Sequence, residues 1–97
     1  METKRKKKDE TYGLRLTTTA SRQLDALDPV VRAQILLRIY QLAVDPRPAI
    51  ATLIDPDDEV YSVVLGGYRI VYWMQDATTV VIVFIESEQQ TKRTRHG

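Results

Sequence analysis

The chain has no cysteine among its 97 residues. Disulfides and thiolate metal sites are therefore excluded, and a reducing cytoplasm is the expected compartment. Histidine occurs once, at His96. The acidic group Asp55, Asp57 and Asp58 lacks the spacing of a calcium loop, so no metal and no cofactor is expected. No apolar run approaches the ~18 residues needed to cross a bilayer. The N-terminus METKRKKKDE is basic, but no apolar segment follows it, so a signal peptide is not expected. Cations are scarce in the middle of the chain. Residues 11–85 hold six arginines and no lysine against eight carboxylates, so the positive charge is terminal.

What is there reads as one domain of ordinary soluble composition, 43% hydrophobic and 28% charged. Residues 1–11 form a basic, flexible arm. Its Lys4, Arg5, Lys6, Lys7 and Lys8 suit a nucleic-acid phosphate backbone through counterion release, or are simply solvated. Residues 12–97 form the domain, with a short basic C-terminal helix or tail. Tyr12–Thr17 alternates, Leu14 and Leu16 on one face, and predicts a strand. Ala20, Leu24 and Leu27 recur at helical spacing behind Thr18 or Thr19 as N-cap. Asp28–Pro29 then restarts the chain as cap and first helical residue. The second helix carries Val31, Ile35, Ile39 and Leu42, widened by Leu36, Tyr40 and Ala43. It stops near Asp45, because Pro46 and Pro48 cannot continue it. After an irregular loop come strands over Glu59–Leu65, Tyr68–Gln75 and Val80–Glu86.

Gly66–Gly67 between two apolar strands predicts a two-residue hairpin, since both glycines accept positive φ. That turn sets Leu65 opposite Tyr68, Val64 opposite Arg69, Ser62 opposite Val71 and Val60 opposite Trp73. Alternation then sorts the side chains. Tyr61, Val63, Leu65, Tyr68, Ile70, Tyr72 and Met74 make the more continuous apolar face, which the helices should cover. Val60, Ser62, Val64, Arg69, Val71, Trp73 and Gln75 make the other. A fixed cation at Arg69 within an apolar face suggests a binding surface. The plainer alternative is a guanidinium solvated near a hairpin tip.

The order of elements and the stretch GGYRIVY, Gly66–Tyr72, resemble the RelE/ParE superfamily of toxins from bacterial toxin–antitoxin pairs, with the helical hairpin ending in DPRP as support. The resemblance covers roughly residues 12–86. It implies an α+β fold: an N-terminal strand, a helical hairpin and a three-strand antiparallel meander, with the helices on one face of a four-stranded antiparallel sheet and the first strand beside the last. It implies a cognate antitoxin as partner, with Val60, Ser62, Val64, Val71 and Trp73 as its contact surface. For RelE-like members it implies messenger RNA cleavage on the ribosome and arrest of translation, and it matches Arg69 to the arginine at the scissile phosphate. For ParE-like members it implies a non-nuclease toxin acting on DNA gyrase. A member without toxic activity is the third possibility.

Two departures bear on the nuclease. The positions before the turn that usually carry cations are Ser62 and Val64, and the last strand runs into Glu86 and Glu88, whose charges would repel a phosphate. Beyond them, Ser87–Gln90 fits a capping box, Ser as N-cap and Gln at N3. A short helix from Glu88 would carry Lys92, Arg93 and Arg95 toward its C-terminus. Those cations, with His96 as acid or base, are the candidates to complete a catalytic set around Arg69. A solvated polar tail is the alternative.

Overall fold

The computed structural model describes residues 11–88. The chain runs β1 (Gly13–Leu16), α1 (Thr18–Ala26), α2 (Pro29–Val44), β2 (Thr52–Asp55), β3 (Val60–Leu65), β4 (Tyr68–Asp76) and β5 (Thr79–Ser87). The strands form one sheet in the order β1-β5-β4-β3-β2.

Helix boundaries follow local chemistry. Asp28 caps α2 by accepting the Val30 N–H, and Pro29 occupies the first turn. The helix ends at Asp45, ahead of Pro46. The cap of α1 is Thr17, not Thr18 or Thr19: its hydroxyl oxygen accepts the Ala20 N–H at 3.0 Å. Thr17 wins because it has a second partner, donating its hydroxyl proton to the Val83 carbonyl at 2.6 Å.

The meander β3-β4-β5 is antiparallel, and the β3–β4 register is the one that the two-glycine turn requires, from Leu65 opposite Tyr68 to Val60 opposite Trp73. Gly66 and Gly67 take φ of 55° and 84°, the left-handed values of a primed turn.

Two features differ from the expected four-stranded antiparallel sheet. The loop after α2 contains a fifth strand, β2, paired antiparallel to β3 through Thr52–Ser62 and Leu53–Tyr61. Its four residues are mostly exposed and too few to show an alternation, so nothing in their pattern marks a strand. In addition, β1 lies beside β5 as expected but parallel to it, with Leu14 opposite Val80 and Leu16 opposite Ile82. The whole helical hairpin and meander separate the two strands, which leaves ample chain for a parallel crossover.

Both helices pack on one face of the sheet. The core gathers Ala20, Leu24, Ile35, Ile39 and Leu42 over Val63, Ile70, Tyr72, Met74, Val80, Ile82 and Ile85. Tyr40, expected to widen the buried stripe, is exposed instead, because α2 turns that side to solvent. The Tyr72 hydroxyl lies in the core and donates to the Pro46 carbonyl at 2.7 Å, fastening the end of α2 to the sheet. Burial, reinforced by nearby Tyr61 and Asp45, raises the pKa of that hydroxyl well above its ordinary value. The Tyr61 ring stacks on Tyr72 with centroids 5.5 Å apart. Its hydroxyl accepts from Arg47 Nε, while Arg47 also pairs with Glu59 at 3.1 Å.

Past Leu16, β1 no longer covers the edge of β5. Side chains of the first helix region take over: Thr17 holds the Val83 carbonyl, and Gln23 Oε1 accepts the Ile85 N–H at 2.6 Å. The edge groups that would otherwise stand unpaired are thus satisfied by α1 and its cap.

Candidate functional site

The face of the sheet away from the helices is the candidate site. Along β4 it presents Arg69, Val71 and Trp73, and along β3 it presents Val60, Ser62 and Val64, directly opposite them. From β5 it adds Glu86 opposite Arg69, Phe84 opposite Val71 and Val81 opposite Trp73. β1 contributes Arg15, opposite Val81. Val71 and Val81 are buried, yet neither belongs to the cluster beneath the helices. They are covered from this second side by their own neighbours.

The apolar part of the face is concave. A groove of ≈480 Å³ is lined by Val60, Val71, Trp73, Val83, Phe84 and Asp58. Its floor is irregular because β5 carries a bulge: Val71 faces Phe84, but Tyr72 faces Ile82, so Val83 is an extra residue. Bulges re-aim side chains, and this one brings Val83 and Phe84 to the same groove.

Arg69 lies at one end of this surface, beyond Val71. It is half-buried, two residues past Gly67. Its Nε is buried and has no hydrogen-bond partner among the described residues. Glu86 is its direct cross-strand neighbour, but no ion pair among the described residues joins them. The site therefore holds a half-buried guanidinium on a central strand that no described carboxylate pairs. Such a group is suited to an incoming anion, because an arginine stays charged and presents a rigid fork of donors.

Two sequence expectations need correction. Ser62 and Val71, placed on an open face, are 7% and 6% exposed. The reason for Ser62 is β2: pairing with Thr52 makes β3 an inner strand, and a small side chain between larger neighbours is sheltered. Of the expected contact surface, Val64 is the most exposed member, at 48%, and Val60 and Trp73 are half-buried. The other candidates, Lys4, Arg5, Lys6, Lys7, Lys8, Lys92, Arg93, Arg95 and His96, lie outside the described residues.

Sequence reasoning missed Phe84 and Val83 as groove residues. VVIVFIE is apolar without a break, so its alternation is hidden, and the bulge that sets it has no signal in the residues. Among the described residues, no cluster of three His, Asp or Glu side chains is placed to hold a metal ion.

Neither a family model nor a curated protein matches the sequence. Solved structures do. A chain of the RelBE2 toxin–antitoxin complex from Mycobacterium tuberculosis is 31% identical, with a TM-score of 0.66, covering 79% of this chain and 98% of that one. The isolated E. coli RelE toxin is 22% identical, with a TM-score of 0.68, covering 88% of this chain and 97% of that one. The archaeal RelE–RelB complex from Pyrococcus horikoshii is 20% identical, with a TM-score of 0.68, over 80% and 96% of the two chains. The last two show the shared fold. The first combines that fold with sequence identity over nearly its entire length, and with it the chain belongs to the RelE superfamily of toxins.

Proposed function

We propose that the protein is the toxin of a toxin–antitoxin pair, that a cognate antitoxin neutralises it by covering the outer sheet face, and that its activity is cleavage of translated messenger RNA with Arg69 at the scissile phosphate. The observation that carries the reading is the placement of Arg69: a permanent cation on a central strand, half-buried on the outer face and paired with no carboxylate among the described residues. In RNA cleavage by 2′-hydroxyl attack, negative charge builds on the phosphorane oxygens. A preplaced guanidinium meets that charge with little reorganisation. The groove of Val60, Val71, Trp73, Val83 and Phe84 beside it offers an apolar seat for an antitoxin helix or extended segment. The full domain length shared with a chain of a toxin–antitoxin complex supports the partner.

A second reading has its own observation. Glu86 stands across from Arg69, and the groove beside them is mostly apolar, with Val60, Val71, Trp73, Val83 and Phe84. A carboxylate there weakens the pull on a phosphate, whereas an apolar groove with opposite charges at its end fits a protein target, as for a gyrase-directed toxin.

Induced expression separates the two. Under the first reading the wild type arrests growth and leaves new cuts in translated messages. Arg69→Ala abolishes both while still folding and binding the antitoxin, since one such interaction is typically worth ~2.7–4 kcal/mol in the transition state. Arg69→Lys restores activity only in part, because an ammonium cannot make the bidentate fork. Growth arrest with intact transcripts and signs of DNA damage selects the second reading. Intact transcripts with normal growth reject both.

A further inference from the structure

The chain has one tryptophan and one phenylalanine. Neither belongs to the core beneath the helices. Trp73 and Phe84 both lie on the outer sheet face, half-buried, and line the same groove. Aromatic side chains of this size stabilise a fold most when they are sealed in its core. Sheltering Val71 and Val81 from the outer side requires apolar volume at these two positions, but it does not require rings.

The surroundings of the two rings are ordered. Strand rise sets Val71 about 7 Å and Trp73 about 13 Å from Arg69 along β4. Phe84 is directly opposite Val71, so it stands one such step from Arg69, and Trp73 stands two. Arg15 shares the cross-strand row of Trp73, since Trp73 faces Val81 and Val81 faces Arg15. Arg69 and Arg15 thus flank the rings, and neither is in an ion pair among the described residues. A single-stranded nucleic acid carries a matching set of groups: phosphates along its backbone, and at each step a flat base that stacks on an aromatic ring whatever the sequence. Aromatic side chains on an open sheet face are a known way of holding single-stranded RNA.

We infer that the outer face is a stacking platform for two successive nucleotides of single-stranded RNA, one base on Phe84 and the next on Trp73, with flanking phosphates at Arg69 and Arg15. The inference rests on the messenger RNA reading above and adds how the message is held beside the reacting phosphate. Charge fixes where the backbone runs. The Asp58 carboxylate borders the groove on the β3 side, whereas Arg15 lies on the β1 side. The backbone therefore passes over β5 toward β1, and the base edges point toward β3, where Asp58 accepts from their N–H groups. Glu86, opposite Arg69, weakens the hold on phosphate at that end, so stacking supplies more of the affinity than charge does. An antitoxin segment seated in the same groove needs apolar volume at positions 73 and 84 but not their π faces. Replacing each ring by leucine separates the two occupants.

The full-length chain, titrated with 2′-O-methyl hexa-adenylate, tests the inference; the blocked 2′ oxygens prevent cleavage during the measurement. Trp73 reports directly, being the one tryptophan. Its fluorescence should be quenched by the hexamer and unmoved by an abasic hexamer that keeps the phosphates. Phe84→Leu and Trp73→Leu, with folding checked by circular dichroism and binding followed by anisotropy of labelled RNA, should each weaken RNA binding about fivefold or more and still bind the antitoxin. Trp73→Phe, which keeps a ring, should recover most of the loss. On induced expression both leucine variants should cut translated messages more slowly. A wild type that cuts messages while Trp73 ignores the RNA overturns the platform and leaves the nuclease reading standing. Equal binding of the abasic strand overturns it too, as do leucine variants that bind RNA like the wild type. Leucine variants impaired only toward the antitoxin assign the rings to that protein, and the proposal falls. A wild type that neither binds the RNA nor cuts messages removes the nuclease reading and the platform with it. Ring-dependent binding without message cuts supports the platform and dismisses the chemistry at Arg69.

Discussion

At the scale of single residues, the two side chains with most at stake are Arg69 and Tyr72, close together on β4 with opposite surroundings. Arg69 lies half-buried on the outer face with no described carboxylate paired to it. Tyr72 is sealed in the core and has one polar obligation, its bond to the Pro46 carbonyl. That bond carries a pH signature. Burial raises the Tyr72 pKa, so the folded state prefers the neutral phenol. The resulting stability is fully present below the unfolded tyrosine value of about 10 and is lost as pH climbs from there toward the raised folded value. Tyr72→Phe removes both the bond and the titration. At neutral pH it leaves the Pro46 carbonyl without that donor and should cost about 1–3 kcal/mol, a lowered Tm in thermal melts. Above about pH 10 the wild type should lose stability that the variant does not have to lose, so the gap between their melting temperatures should narrow. A gap that widens with rising pH would reverse the assigned sign.

At the scale of elements, legibility followed local chemistry. Asp28–Pro29 marked the start of α2 because both residues act within one turn. Gly66–Gly67 set the β3–β4 register because positive φ at two adjacent positions admits few turns, and that register sorted Ile70 and Tyr72 from Arg69 and Trp73 correctly. The failures were non-local. β2 consists of mostly exposed residues whose strand state comes from pairing with β3, and no alternation marks it. The parallel sense of β1 depends on where β5 ends, a property of the whole chain. The bulge at Val83 arises where β5 leaves the cover of β1 and passes to Thr17. Thr17 is the hinge of that arrangement, because one hydroxyl both caps α1 and holds the Val83 carbonyl. Thr17→Val keeps the shape and removes both bonds. A loss of about 1–3 kcal/mol is expected in denaturant unfolding, with Thr17→Ser losing much less. If Val and Ser variants are equally stable, the hydroxyl does not hold the edge of β5.

At the scale of the whole molecule, charge and apolar surface are distributed in opposite ways. The described body, residues 11–88, carries six arginines against ten carboxylates, and every lysine lies outside it. The body alone is thus poorly suited to a polyanion, apart from the local field at Arg69 and Arg15. Under the nuclease reading, broad affinity for RNA would rest on the terminal cations, whereas the outer groove offers an apolar surface to a protein. This division makes a quantitative prediction for the nuclease reading. Pairing of the Lys4–Lys8 arm with RNA phosphates releases counterions, and each neutralised phosphate contributes about 0.7 to the slope of log affinity against log salt for a single strand. Removing residues 1–10 should therefore flatten that slope by about 0.7 for every phosphate the arm neutralises, and weaken binding chiefly at low salt. Arg69→Ala, which acts on a single reacting phosphate, should change the slope by no more than about one such step while abolishing cleavage. The two variants would then separate attraction from chemistry. An unchanged slope after removal of the arm would mean that the arm neutralises no phosphate, leaving Lys92, Arg93 and Arg95 as the remaining cations outside the negatively charged body.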